Sequence, residues 1–330
     1  MKDRKAALRF GSRSAVRLAD LAELVRAPAA LSVPGDVIAG AVAAGHPLGA
    51  RTLGIIGSSI CLYWSGMALN DYADATVDAV ERPRRPIPSG RVPRRTALAV
   101  AGGLTAAGLG LAAVAGGRRS LVGALPLAGL VWSYDLRLKA GPAGAAAMAG
   151  ARALDVLTGA LAPGKGPRGN VSVGEALLRG AVPAALVGAH TYTLTALSRH
   201  EISGAPARLP TATLAVSTTT ALATALPAVR AAATRTGRLP ATSRTWPAVL
   251  RTGVVAAGAL AYLGTYGTAQ ARAVREPSGE NVRRAVGAGI LGLMPLQAAL
   301  TARGGAPAVA AALGVAHPLA RRLARRISPT

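Results

Sequence analysis

Only 14 carboxylates occur in the 330 residues, and Asp71, Asp74, Asp78 and Glu81 fall within eleven positions of one another. Asn70 precedes them, and an uncharged run ending Gly66-Met67-Ala68-Leu69 leads into them. On a helix advancing about 100° per residue, Asp71, Asp74 and Asp78 lie within about 60° of one another. Three carboxylates on one face at the end of an apolar run repel each other. Ionisable groups at membrane depth are costly and mark functional paths. A hard divalent cation such as Mg2+ relieves the repulsion, because it takes oxygen ligands and bridges carboxylates to substrate phosphates. The competing account is a solvated helix end, with Arg84 and Arg85 forming an ion-pair patch with the aspartates.

Two further constellations carry charge next to apolar runs. Arg152 and Asp155 stand i, i+3 near the middle of one run. They form either a buried structural ion pair or an Arg that faces a bound anion with Asp155 orienting it. Tyr134-Asp135-Leu136-Arg137-Leu138-Lys139 follows another run. Arg137 and Lys139 suit the flanking charges of a membrane span. Tyr63, Trp64 and Tyr72 sit on the helix that carries the aspartates. Tyr72 offers a ring face to a positive charge, or simply packs at the interface. Cys61, the lone cysteine, is a small apolar filler and rules out a disulfide scaffold. No P-loop, dinucleotide-binding glycine pattern, zinc spacing or Ser-His-Asp set occurs.

The elements that position these residues are membrane helices. Apolar residues make up 51% of the chain and charged residues 16%, where a soluble domain carries about a quarter. Nearly uncharged runs at 29–50, 52–70, 96–117, 120–134, 142–162, 180–198, 209–229, 252–271 and 285–302 predict about nine spans. A tenth run, 306–319, is short and suits an interfacial or re-entrant segment. The basic N-terminus lacks the immediate apolar core of a signal peptide. The net charge of +24 would suggest nucleic acid in a soluble protein, but only four of the 38 basic residues are Lys. That bias fits a GC-rich genome, and the charges fall between the spans, so no nucleic-acid partner is expected. With the N-terminus inside, 21 basic residues face the cytoplasm and 12 face out. This places the loop 71–95 in the cytoplasm. The cluster Arg321, Arg322, Arg325 and Arg326 would then lie outside, unless the tail re-enters or binds anionic lipid as a surface helix. Gly and Ala dominate the spans, so a tight all-α bundle is expected.

Asn70-Asp71-Tyr72-Ala73-Asp74-Ala75-Thr76-Val77-Asp78 fits NDxxDxxxD and resembles the first aspartate-rich motif of the UbiA superfamily of membrane prenyltransferases. The adjoining Arg82-Pro83-Arg84-Arg85-Pro86-Ile87-Pro88-Ser89-Gly90-Arg91 resembles that family's loop after the second helix, and nine spans agree with its architecture. The resemblance covers residues 20–302. It implies an isoprenoid diphosphate bound through Mg2+ and a prenyl group moved to an acceptor, often aromatic. Asp71, Asp74 and Asp78 would hold the metal, with Asn70, Arg84, Arg137, Lys139, Arg152 and Arg199 on the diphosphate. Such chemistry leaves an allylic cation and a highly charged diphosphate, which metal and basic side chains stabilise.

The family's second aspartate motif has no Asp counterpart here. The stretch His190-Thr191-Tyr192-Thr193-Leu194-Thr195-Ala196-Leu197-Ser198-Arg199-His200-Glu201 offers only Glu201 as a second metal ligand, with His190, Thr193, Leu197 and Glu201 on one face. Arg199 and His200 are the alternative, guanidinium and imidazole replacing metal charge. Arg152-x-x-Asp155, with Ser198-Arg199-x-Glu201, resembles the EboC-like branch. Three functions follow: a prenyltransferase, a non-catalytic protein of the same fold that binds or translocates a prenylated or phosphorylated intermediate, or an intramembrane terpene cyclase. The expected organisation is a basic cytoplasmic segment 1–28, a prenyltransferase-like domain 29–303 and a basic tail or interfacial helix 304–330. The expected location is the plasma membrane of a bacterium, with the site facing the cytoplasm.

Overall fold

The computed structural model describes residues 16–166, 169–236 and 246–315. The first fifteen residues of the basic N-terminus, the tail cluster from Arg321 to Arg326 and the middle of the 230–251 loop lie outside them.

The chain is helical from end to end of the described residues. In order come α1 (Leu18–Leu24), a tight turn at Ala27–Ser32, α2 (Val33–Ala43), α3 (Ala50–Ala73), α4 (Ala75–Glu81), α5 (Arg94–Ser133), α6 (Gly144–Ala160), α7 (Val173–Ser198), α8 (Arg208–Thr236), α9 (Trp246–Tyr262), α10 (Thr268–Arg275) and α11 (Gly279–Gly304). A two-residue antiparallel pairing of Lys165–Gly166 with Gly169–Asn170 decorates the α6–α7 connection.

All nine apolar runs become helix, but length limits how many cross a bilayer unaided. Five stretches are long and apolar enough: Ala50–Ala73, Arg94–Leu138, Arg208–Thr234, Pro247–Arg275 and Gly279–Gly304. At about 1.5 Å per residue, the eleven residues of α2 reach only about half of a 30 Å hydrocarbon core. Nine is therefore an approximate span count. The stretch Arg94–Leu138 supplies two passes. Gly117 sits inside α5 at φ 59, ψ −148, a left-handed conformation open to glycine. Trp132 Nε1 donates to Thr105 Oγ1 at 2.9 Å. Twenty-seven residues of straight helix would hold those groups about 40 Å apart, so α5 is a hairpin with arms 94–116 and 118–133. In the tenth run, residues 307–315 are helical.

Small residues set how the helices cross. A Cβ on Gly40 of α2 would lie 1.8 Å from the Val156 carbonyl oxygen, and one on Gly159 of α6 would lie 2.1 Å from the Val37 carbonyl oxygen. The two backbones touch because neither residue has a side chain, which is how membrane helices gain close packing. The largest buried cluster joins α2, α6, α7, α8, α9 and α11. Of the five long stretches, α11 is the central one, 78% buried in its apolar window against 17–50% for the others. At its heart His190 Nδ1 meets Tyr262 Oη at 3.1 Å, and Thr193 Oγ1 meets Tyr266 Oη at 3.1 Å. The α3 and α5 helices pack separately around Leu62, Ala68, Leu69, Ala112 and Leu127. A cavity remains between them and α6.

The bundle has two ends. Lys139, Arg199 and Asp74 meet at one, here the motif end. At the other, Arg119 donates to the Leu161 and Val171 carbonyls, and Arg179 to that of Ala44.

Candidate active site

The cavity, about 230 Å³, is built from three helix faces. Ser59, Leu62, Tyr63, Gly66, Met67 and Asn70 recur at three- and four-residue spacing along one face of α3. Leu127, Val131, Tyr134 and Asp135 come from the second arm of α5 and the turn after it, and Met148, Ala151, Arg152 and Asp155 from α6. Arg26 and Val33 close the remaining side. From Ser59 to Asn70 the cavity runs roughly 16 Å along α3. Its walls are mostly apolar, and its charged groups gather at the two ends.

At the motif end the helix breaks at Asp74, which takes φ −88, ψ 6 between α3 and α4. The three aspartates therefore do not share one uninterrupted helix, and each finds a basic partner. Asp71 is buried and accepts from Arg26 Nη2 at 3.0 Å and Arg85 Nη1 at 3.2 Å. Asp78, also buried, accepts from the same Arg85 Nη1 at 2.7 Å and pairs with Arg82 at 3.4 Å. Asp74 pairs with Lys139 Nζ at 2.7 Å. Asn70 Nδ2 donates to Asp135 Oδ1 at 3.1 Å. Low-dielectric surroundings favour such pairing, since an uncompensated buried carboxylate is expensive. Among the described residues, no three Asp, Glu, His or Cys side chains gather about one point.

These residues still suit Mg2+ by chemistry. The carboxylates of Asp71, Asp74 and Asp78 and the amide oxygen of Asn70 are hard oxygen donors, the kind that Mg2+ takes. Arg85 Nη1, held by both Asp71 and Asp78, already occupies the position of a cation shared between two carboxylates.

The structure thus brings Asn70, Asp71, Asp74, Asp78 and Lys139 together, and it moves the other expected residues elsewhere. Arg84 is exposed, and its carbonyl accepts from Arg91; its neighbour Arg85 is the one that reaches the aspartates. Helical spacing gives no signal for this choice, because α4 ends at Glu81. Arg137 is exposed on the wide turn Tyr134–Leu138. Arg199 donates to the Lys139 carbonyl at 3.0 Å and also to that of Gly141, so it fastens the loop that carries Lys139. Arg152 lines the far end of the cavity, but its ion pair is with Asp36 of α2 at 2.9 Å, not with Asp155. Gln297 Nε2 also donates to Asp36 at 2.7 Å, and Asp155 accepts from Ser59 Oγ at 2.5 Å. Glu201 is half-buried in the α7–α8 loop. Burial raises its carboxyl above the ordinary range, opposed by Arg283 and then by Arg82, the arginine paired with Asp78. His190, Thr193 and Leu197 face the core. Tyr72 carries the Arg94 guanidinium 4.5 Å from its ring centroid, so its face is taken.

Arg26, Asp36 and Asp135 were not expected from sequence. Asp36, an acid inside an apolar run, was a visible signal. Arg26 takes φ 47, the left-handed conformation, and no local pattern announces its reach to Asp71.

Residues 33–285 match the model of the UbiA prenyltransferase family. The chain belongs to the UbiA prenyltransferase family. This UbiA-family chain is also similar to digeranylgeranylglyceryl phosphate synthases. The one from Methanopyrus kandleri is 44% identical over 110 residues, 33% of this chain and 38% of that protein. The one from Ignicoccus hospitalis is 44% identical over 92 residues, 27% of this chain and 30% of that protein. The matched segments span well under two thirds of these relatives. Two solved structures share the fold. One, described as giving insight into digeranylgeranylglyceryl phosphate synthase in membranes, aligns with TM-score 0.58 and 17% identity over 86% of this chain and 97% of that one. The apo structure of a UbiA homolog from Aeropyrum pernix K1 aligns with TM-score 0.56 and 19% identity over 84% and 96%. The UbiA-family chain is thus an integral membrane protein of this helical architecture.

Proposed function

We propose that this chain transfers a prenyl group from an isoprenoid diphosphate to an acceptor, with Mg2+ assistance. The observation that carries this reading is the cavity. Its apolar walls suit a prenyl chain, and its end at Asn70 and Asp135 adjoins Asp71, Asp74, Asp78 and Lys139. The relatives' name favours an acceptor of the glyceryl phosphate class over an aromatic one. The basic-residue distribution supports a motif end that faces the cytoplasm.

Asn70, Asp71, Asp74 and Asp78 would hold Mg2+, with Glu201 the candidate for a second site. When bound, Mg2+ supplies positive charge to the departing diphosphate. Lys139 and Arg85 supply further positive charge at the same end once the diphosphate competes for them. The wall of Leu62, Met67, Leu127 and Val131 excludes water, which protects an allylic cation from hydrolysis. Arg199 acts indirectly, by holding the Lys139 loop.

Incubating the full chain in lipid vesicles with radiolabelled geranylgeranyl diphosphate and geranylgeranylglyceryl phosphate, with and without EDTA, tests this. The expected result is a labelled diprenyl lipid that EDTA abolishes. Asp74→Ala should abolish it too while the protein stays folded. A labelled cyclised hydrocarbon would identify a cyclase, and binding without turnover a non-catalytic carrier.

A further inference from the structure

The mechanism leaves Arg152 and Asp155 unused, although both line the cavity at the end away from the aspartate motif. Arg152 is held by Asp36 at 2.9 Å and donates to the Ser32 carbonyl at 3.3 Å. Gln297 of α11 donates to the same Asp36 and the same carbonyl, at 2.7 Å each. Ser59 donates to Asp155 at 2.5 Å, which ties the set to α3. Moving Arg152 aside strands the buried charge of Asp36, so this floor does not yield as an apolar one would.

The helices close directly beneath the floor. One turn past Ser59, Ile55 is fully buried with Val37 and Ala162. One turn past Asp155, a Cβ on Gly159 would lie 2.1 Å from the Val37 carbonyl oxygen. One turn past Leu127, in the second arm of α5, a Cβ on Gly123 would lie 2.6 Å from Thr158 Oγ1. Small residues thus bring α2, α5 and α6 together where the cavity stops.

The cavity therefore has a set depth. From Asn70, beside the motif aspartates, to Ser59 it runs roughly 16 Å. An isoprene unit spans four carbon–carbon bonds of about 1.5 Å, which in an extended zigzag advance roughly 5 Å. About three such units fill the depth, and a fourth would press its methyl groups against Arg152 and Asp155. Resting on the transferase reading above, we propose that the floor of Arg152, Asp36, Asp155 and Ser59 sets the donor chain length, selecting farnesyl diphosphate over its geranyl and geranylgeranyl neighbours. A geranyl chain leaves the lower wall uncovered, and even one missing methylene in an apolar pocket costs about tenfold or more. A geranylgeranyl donor still reacts, but its chain must fold back on itself within the cavity, which weakens its binding.

The test reads binding and so does not depend on turnover. The full chain in lipid vesicles with Mg2+ is titrated with the non-reacting S-thiolodiphosphate analogues of the geranyl, farnesyl and geranylgeranyl donors, compared at equal mole fraction in the lipid. The farnesyl analogue should bind about tenfold or more tighter than either neighbour. A geranylgeranyl analogue that binds within about threefold of it, or tighter, would overturn the assignment. Ser59→Leu raises the floor into the cavity and should move the preference to the geranyl analogue. Arg152→Met combined with Asp36→Asn removes both charges together and leaves a flexible floor, so the geranylgeranyl analogue should then bind at least as tightly as the farnesyl one. An unchanged ranking in either folded variant would also overturn the assignment, and the wild-type ranking decides where a variant does not fold. The expected ranking without product from any donor would refute the transferase reading and leave the length selection as that of a binding protein. No binding of any analogue would overturn both.

Discussion

Replacing Arg152 with Met would remove the cation at the far end of the cavity and leave Asp36 without its ion-pair partner. The pair is 2.9 Å apart, with side chains 13% and 0% exposed, so the Asp36 charge has no access to water and depends on Arg152. Removing one partner of a buried pair costs about 3–5 kcal/mol, mostly the penalty for the stranded charge. At about 1.4 kcal/mol per tenfold, the lower figure is already more than a hundredfold in the unfolding equilibrium. Asp36→Asn should cost less, because Gln297 keeps a hydrogen-bond partner and Asp155 remains one turn along from Arg152. The double variant should recover most of the Arg152→Met loss, giving a coupling of about 2 kcal/mol. Unfolding titrations in mixed micelles, followed by tryptophan fluorescence, measure all four corners of the cycle. Independent sites add within about 0.3–0.5 kcal/mol. A coupling that small would show that Arg152 and Asp36 do not stabilise each other, and the account of the cavity floor would fail.

Glu201→Gln should change stability in a pH-dependent way. Burial raises the folded-state pKa of Glu201, so the protonated form is the one the fold prefers. That preference stabilises below the ordinary carboxylate value and is lost as pH rises through the folded value. The variant should match wild type in acid and melt higher at neutral pH; a lower neutral midpoint contradicts the burial argument. Gly159→Val places a side chain where the Val37 backbone already sits 2.1 Å from an added Cβ, so α2 and α6 must separate. A loss of about 3 kcal/mol or more, or failure to fold, is expected; a wild-type melting curve would refute the close crossing. Ser89→Cys in a Cys61→Ala background should react in intact cells with a membrane-permeant maleimide alone, and reaction with an impermeant reagent would reverse the orientation.

The sequence by itself determined the class of molecule. Uncharged runs of span length with basic residues between them pointed to a membrane bundle, and NDxxDxxxD at the end of the second run pointed, by resemblance, to the family. These signals are local: each depends on composition or on spacing within a few helical turns. The partners of the charges were decided only by tertiary structure. Arg85, not Arg84, bridges Asp71 and Asp78, because the helix stops at Glu81 and the chain folds back. Arg152 pairs with Asp36 across 116 positions, and not with Asp155 three residues away. Asp135 meets Asn70 only because α5 doubles back at Gly117 and then widens by one residue. Glycine and alanine are so frequent here that many helix crossings looked equally possible from their spacing. Which crossing forms depends on complementary gaps such as Gly40 and Gly159 on two helices at once. Close packing selects one of them, and that choice brings distant charges into contact.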